Sequence, residues 1–430
     1  MKLNFDIFQQ YKKHKILASN FVYLAVLQGL NLILPLLTFP YLIRILGVEY
    51  FGLLSFSFAF ITYFQIITDY GFNATGTRDI SLAEGDFRKQ NLIFNQIMSA
   101  KLLLVIFSFF AMMIIVFSFE IFRTYWIIYL FSFGSILGQA LFPVWYFQGI
   151  QKMKYITYLN LITKIIFTLA LFVFIRKKSD YYLVPVFNAL GFISSGIFAL
   201  FYLWKDFDIK FKIQPLKGII LQLQKSKYVF LSELKISLFT NTNTVILGIL
   251  SGNQAVGYFS AAEKLARAIG NLQTPISNTI FPYLSKEMAQ DKLQTIQKIK
   301  KITIVGTLLF SILIIVCFFF AEQIIEIIYG KAMFSSVLIF RILILIPLLS
   351  FLDTMYGKQI LLNLGRDHLY FRVIVFATIL NLATNFILTN IYQELGTAIT
   401  LIITQIFIVL GMWYFANKEI ESILKTNRQS

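Results

Sequence analysis

Long apolar runs recur along this chain, separated by short polar segments. About 20 apolar residues in a helix cross a hydrocarbon core of about 30 Å. The pattern predicts twelve spans, at 17–43, 51–72, 92–118, 124–147, 155–175, 183–204, 228–250, 256–284, 302–321, 335–361, 370–390 and 395–416. Pro35, Pro40, Pro143, Pro185, Pro275, Pro282 and Pro347 fall inside these spans or at their edges. In a bundle, neighbouring helices satisfy the carbonyls a proline frees, so bends are expected.

Polar positions inside the runs are not scattered. Span 8 carries Ser260, Lys264, Arg267, Asn271, Thr274 and Asn278, whose steps of three and four put them on one helical face. Similar stripes are Thr62, Gln65, Asp69 and Asn73 in span 2, Thr157, Asn160, Lys164 and Thr168 in span 5, and Glu233, Ser237, Thr240, Asn241 and Thr244 in span 7. Span 1 adds Gln28 and Asn31. One Asn or Thr of this kind commonly serves an interhelical hydrogen bond. Stripes on spans 1, 2, 7 and 8 together, the equivalent pairs of the two halves, predict a shared hydrated cavity between the halves.

The pattern also repeats at half length. Gly47, Gly52 and Ser55 in GVEYFGLLS are spaced as Gly252, Gly257 and Ser260 in GNQAVGYFS, and Pro143 has an echo in Pro347. The basic connection 205–227 divides the spans six and six. Six is even, so both halves start on the same side, and the repeat is parallel with its pseudo-two-fold along the membrane normal. The expected fold is therefore an all-α integral membrane protein of twelve transmembrane helices, in two parallel-repeat six-helix bundles around a central cavity. The division is 1–204 for the N-terminal bundle, 205–227 for the cytoplasmic connection and 228–430 for the C-terminal bundle.

Composition agrees: 58% of residues are hydrophobic and 14% charged, against roughly 25% charged in soluble domains. Mean hydropathy is +0.73. The net charge of +17 sits largely in the short segments between runs, so it reads as loop charge and not as a nucleic-acid surface. With the N-terminus inside, 25 of the 38 Lys and Arg fall in inside segments and six outside, which orients both termini to the cytoplasm. Arg176, Lys177 and Lys178 are the local exception. Cys317 is the single cysteine, so no intrachain disulfide forms, and His14 and His368 have no partners suited to a metal site.

Seven cations lie within spans: Lys101, Lys164, Lys235, Lys264, Arg267, Arg341 and Lys358. Each costs about 2.5–3.5 kcal/mol at a helix centre, so they should face a bundle interior or a water-filled cavity. Lys101, Arg341 and Lys358 are near span ends and could snorkel. Lys164, Lys264 and Arg267 are the better cavity candidates. The intramembrane acids are Asp69, Glu233, Glu263 and Asp353. They are candidates for coupling to H+ or Na+, or structural partners of the cations. Glu263 and Arg267 have the spacing of a helical ion pair, which would leave the excess charge on Lys264. A net cationic, amide- and hydroxyl-rich cavity suits an anionic headgroup such as phosphate attached to a polyhydroxyl group.

Four segments, LPLLTFPYLIRILGVEYFG at 34–52, DYGFNATGTRDIS at 69–81, FPVWYFQGIQKMKYIT at 142–157 and ILGILSGNQAVGYFSAAEKLARA at 246–268, resemble the polysaccharide flippases of the multidrug/oligosaccharidyl-lipid/polysaccharide superfamily. The Wzx-type O-antigen flippases are the nearest in pattern, and the resemblance covers nearly the whole chain. It implies a V-shaped pair of bundles in the bacterial inner membrane, working by alternating access. The cargo would be an undecaprenyl-diphosphate-linked oligosaccharide, moved from the cytoplasmic to the periplasmic leaflet. A polysaccharide polymerase and a chain-length regulator would be partners. Arg44, Arg78 and the 263–267 cluster fall within the resembling segments. Lys164 and Lys235 do not, and rest on the burial argument. The substrate-binding candidates are thus Lys264, Arg267, Lys164, Lys235, Arg44, Arg78 and Asn271.

Other readings are a multidrug exporter of the same superfamily, a peptidoglycan-precursor flippase and a membrane glycan polymerase or ligase. The last needs a sizeable outside loop, and the outside loops are short. No P-loop, Rossmann fingerprint, nucleophile elbow or metal motif is present. A transporter without a cofactor is expected, not an enzyme.

Overall fold

The computed structural model describes the backbone of residues 2–429, and side chains for 22–23, 26–31, 33–234, 237 and 241–425. Its described residues fold as helices: α1 (Lys2–Asp69), α2 (Phe72–Leu82), α3 (Phe87–Ser118), α4 (Glu120–Arg123), α5 (Trp126–Leu141), α6 (Val144–Gly149), α7 (Met153–Phe174), α8 (Leu183–Phe207), α9 (Leu216–Gly270), α10 (Gln273–Gln290), α11 (Lys292–Phe319), α12 (Ala321–Tyr329), α13 (Ser336–Leu343), α14 (Ile346–Asp353) and α15 (Asp367–Gln429). A π-helical stretch, Thr354–Leu362, continues α14.

Nine helical stretches among the described residues are long and apolar enough to cross a membrane. Three of them, Val26–Leu82, Asn241–Gln290 and Asp367–Lys425, have 50 or more residues, far beyond one crossing at 1.5 Å per residue. Each contains a backbone break, at Gly47, Gly252 and Gln393 respectively. Gly47 (φ 82°, ψ 173°) and Gly252 (φ 81°, ψ −178°) adopt the same left-handed conformation. Side chains disfavour that region and glycine does not. The half-length sequence echo is therefore an echo in backbone geometry.

Several prolines end helices instead of bending them. Pro275 lacks an N–H, and its ring conflicts with the carbonyl four residues back, at Asn271. The expected span 256–284 accordingly divides at Asn271–Leu272, between α9 and α10. Pro143 separates α5 from α6, and Pro347 lies in the first turn of α14. Pro35, Pro40 and Pro282 stay inside helices, as a bundle permits.

The chain separates into two compact units, Met1–Gly47 with Phe56–Asn241, and Val48–Ser55 with Thr242–Ser430. In the first, α5 lies along α8 at backbone contact. A Cβ on Gly138 would sit 2.3 Å from the Ile193 nitrogen, and one on Gly196 would sit 2.7 Å from the Gly138 carbonyl oxygen. Small residues of this kind let membrane helices approach closely. The segment after α8 is docked on the same unit. The Lys212 and Gln214 amides donate to Asn95 Oδ1 and Ser99 Oγ at 2.7 and 3.0 Å. Gln222 bonds to Gln96 at 2.8 Å, and Ser226 meets Thr75 at 2.7 Å. The Tyr70 and Phe230 rings stack. These contacts tie residues 212–230 to the first unit.

In the second unit the residues after Gly47 pack on the residues after Gly252. A Cβ on Gly52 would lie 1.8 Å from the Asn253 carbonyl oxygen, and one on Gly257 would lie 2.3 Å from that of Val48. α15 folds back at Gln393, so that Thr389 and Thr397 meet at 2.8 Å.

Candidate functional site

Packing of α5 on α8 places Gln139 and Phe192 on one wall of a cavity of about 130 Å³ in the first unit. The end of α1 brings Asp69, α3 brings Lys101 and α7 brings Asn160, with Asn73, Phe142, Val144 and Ser195 completing the lining. Lys101 does not snorkel. It is 1% exposed, and its ammonium donates to Asp69 Oδ1 at 2.9 Å. A span-end position allows snorkelling only when the stem points outward, and here it points at an acid on α1. Gln65 donates to Gln139 Oε1, and Asn160 gives its amide nitrogen to the Ile156 carbonyl at 2.9 Å. Glu233 is half-buried and within electrostatic range of Asp69 and Lys101.

One turn beyond Asn160 on the same face of α7, Lys164 donates to Asn31 Oδ1 at 2.6 Å. Its ammonium also lies 5.8 Å from the centre of the Phe192 ring. Both partners are neutral. Spans 1, 2 and 5 thus do bring stripe residues together, and α3, α5 and α8 add Lys101, which the sequence left between a cavity and snorkelling, and Gln139 and Ser195, which it did not single out. A lone amide in the apolar run LGQAL was the available signal for Gln139.

In the second unit, Arg267 pairs with Glu263 at 2.7 Å, as their spacing predicted. Lys264 donates to Ser55 Oγ at 3.3 Å and lies 4.7 Å over the Phe51 ring. The stripe does not continue on one helix to Asn278, because α9 ends at Gly270. Asn271 is exposed in the break. Asn278, now on α10, accepts from Lys358 at 2.8 Å. Lys358 sits in the π-helical stretch, a departure from α-helix often found at functional sites, and its ammonium is 5.3 Å from the Phe281 ring centre. Asp353, just before that stretch, accepts from Gln405 at 2.6 Å.

The remaining candidates are more peripheral. Arg44 is exposed. Arg78 is exposed beside Asp79 at 3.4 Å, and Asp79 also meets Lys225 at 3.1 Å. Arg341 lies against the Phe318 ring and carbonyl. The side chain of Lys235 lies outside the described residues. A face the sequence reading missed runs along α15, where Asn381, Asn385, Thr389, Thr397, Thr400 and Thr404 are fully buried. Asn381 donates to Thr404 at 3.1 Å and Thr389 to Asn385 at 2.6 Å. Steps of three and four among these positions were the signal. Among the described residues, no three His, Cys, Asp or Glu side chains are grouped to hold a metal ion.

Residues 17–288 match the family described as "Polysaccharide biosynthesis protein". The chain belongs to that family. A protein from Escherichia coli (strain K12) named "Putative O-antigen transporter" is 29% identical over 399 residues, covering 93% of this chain and 96% of that protein. Among solved structures, the lipid II flippase MurJ in an inward closed conformation has a TM-score of 0.66 at 13% identity, covering 92% of this chain and 87% of that one. An inward-facing multidrug resistance MATE family transporter has a TM-score of 0.64 at 12% identity, covering 92% and 96%. At these identities the structures show a shared fold, that of an all-α multi-pass membrane protein. Family membership and the full-length relative bear out the resemblance to polysaccharide flippases.

Proposed function

We propose that this protein is a secondary transporter that flips an undecaprenyl-diphosphate-linked oligosaccharide from the cytoplasmic to the periplasmic leaflet of the bacterial inner membrane, by alternating access. The observation that carries this reading is the pair of intramembrane ammonium groups held by amide oxygens, Lys164 on Asn31 and Lys358 on Asn278, one in each unit. An amide positions an ammonium without cancelling its charge. Such groups, costly to bury, support attraction of an anion such as a diphosphate. The hydroxyl and amide stripes suit the sugar, and the isoprenoid tail stays in lipid. The full-length relative named as an O-antigen transporter supports the same cargo class.

Coupling to H+ or Na+ is assigned to Asp353 and Glu233. Asp69 and Glu263 already face cations, Lys101 and Arg267. Asp353 receives an amide from Gln405, and among the described residues no cation stands within ion-pair distance of it. Both termini are cytoplasmic in this reading, and the product passes to a polysaccharide polymerase and a chain-length regulator.

The test is complementation of a strain lacking its own transporter, at matched membrane levels. Lys164→Glu and Lys358→Glu should abolish surface polysaccharide, and the Arg versions should retain part of it. Full restoration by both Glu variants would refute the anion role. Efflux of cationic dyes with no effect on surface glycans would identify a multidrug exporter. Loss of viability on deletion would point to a peptidoglycan precursor.

A further inference from the structure

The cavity in the first unit has a chemistry of its own. We propose that it is a sugar-reading subsite, which takes one edge of a neutral pyranose ring of the cargo while the neighbouring Lys164 meets the phosphate. This rests on the flippase reading above and assigns a part of the cargo to named residues.

The wall is polar but its principal charges are spent on each other. Lys101 stands on Asp69 at 2.9 Å, so neither a phosphate nor a second cation finds an uncompensated opposite charge on the wall. An incoming cation at Asp69 would face the Lys101 ammonium, and a phosphate at Lys101 would face the carboxylate. An acyl or isoprenoid chain is disfavoured as well, because it would strip the half-buried Gln139 and Asn160 of water without replacing their hydrogen bonds. What remains is a neutral group with many hydroxyls. The wall offers both kinds of partner. Gln139 uses its carbonyl oxygen on Gln65 and keeps its amide nitrogen as a donor. Asn160 uses its amide nitrogen on the Ile156 carbonyl and keeps its oxygen as an acceptor. Phe192 adds an apolar surface for the C–H face of a ring.

The cavity of about 130 Å³ has room for about four waters at ~30 Å³ each, so it admits one edge of a pyranose ring, and the remaining hydroxyls stay at its open rim. Asn73 lies exposed on the lining, so the cavity has a polar rim for the rest of the oligosaccharide. Lys164 supplies the anion partner in register: it is one turn from Asn160 on α7 and its ammonium lies over the Phe192 ring. A sugar stacked on that ring would carry its anomeric phosphate toward the lysine.

The experiment measures binding to the full-length protein in lipid nanodiscs by microscale thermophoresis. The probes are farnesyl diphosphate and farnesyl diphosphate carrying one glucose, galactose, N-acetylglucosamine or N-acetylgalactosamine. In the wild type, at least one sugar-bearing probe should bind about tenfold tighter than the bare diphosphate, the gain from two or three added hydrogen bonds. Asn160→Leu with Gln139→Leu should erase that increment and leave affinity for the bare diphosphate unchanged, which also reports that the variant is folded. Asn73→Ala, on the exposed rim, should lose part of the increment. The subsite is refuted if no sugar improves on the bare diphosphate, if the increment survives the double variant, or if both probes weaken equally. A wild type that binds neither probe refutes the flippase reading itself, and the subsite with it.

Discussion

Replacing Gly52 with alanine tests a close helix contact in the second unit. The new Cβ would stand 1.8 Å from the Asn253 carbonyl oxygen, and ordinary contact begins near 3.4 Å. Backbone cannot rotate away as a side chain can, so the two segments must part by about 1.6 Å, the difference between those distances. Overpacking of this kind costs about 1–3 kcal/mol. A gap of 0.5–1 Å already forfeits a quarter to a half of each dispersion contact, and Phe51, Leu53, Val256 and Phe259 are all buried around this one. The expected loss is therefore at the upper end, about 2–3 kcal/mol.

Two controls separate this argument from a general intolerance of alanine. Gly29, on α1, has nothing within 4 Å of an added Cβ. There, alanine should stabilise the helix by about 0.5–1 kcal/mol. Gly257→Ala makes the same clash from the other side, at 2.3 Å from the Val48 oxygen. Once one methyl has parted the segments, the second finds space, so the double variant should cost less than the sum of the singles by more than about 0.5 kcal/mol. Equilibrium unfolding in mixed dodecyl maltoside and SDS micelles, followed by tryptophan fluorescence, gives each value. The reasoning fails if Gly52→Ala is as stable as the wild type, or if the two substitutions add.

Asp353→Asn keeps an acceptor for Gln405 and removes the charge. Proteoliposomes carrying it should still bind farnesyl diphosphate but lose the response of transport to an imposed proton or sodium gradient, and an intact response would move the coupling site elsewhere. The proposed orientation is checked by cysteine labelling in a Cys317→Ser background, where Cys317 is the only native cysteine. With an impermeant maleimide, Arg44→Cys should react from the periplasm and Arg78→Cys only from the cytoplasm; the reverse pattern would invert the topology.

What the sequence made legible was what depends on local spacing. The spacing of Glu263 and Arg267 predicted an ion pair, because that relation lies within one turn of one helix, and the Gly47 and Gly252 echo marked two positions that share a backbone conformation. What depends on which neighbour a face meets was not legible. Lys101 was placed by its distance from a span end, yet its partner Asp69 arrives from another helix. The prolines were read as bends, but Pro143, Pro275 and Pro347 stand at helix ends. Proline chemistry permits either outcome, and the packing around the freed carbonyl decides. The buried amides and hydroxyls of α15 sit in a run whose hydropathy hides them, and only the fold-back at Gln393 sets Thr389 against Thr397.

The repeat keeps its frame and divides its chemistry. Glu263, Lys264 and Arg267 correspond by the half-length offset to Phe58, Ala59 and Thr62, so the charge belongs to one copy. The reason is in the partner. Lys264 lies over the ring of Phe51, a residue of the other copy, and such a ring attracts an ammonium through its negative face. A lysine at position 59 would need an equivalent ring at position 256, and that residue is Val256. The cation and its aromatic platform are thus encoded on opposite copies. The repeat carries two equivalent glycine turns and a close helix contact, while within the second unit the ammonium stands on one side of the Gly52–Gly257 contact only.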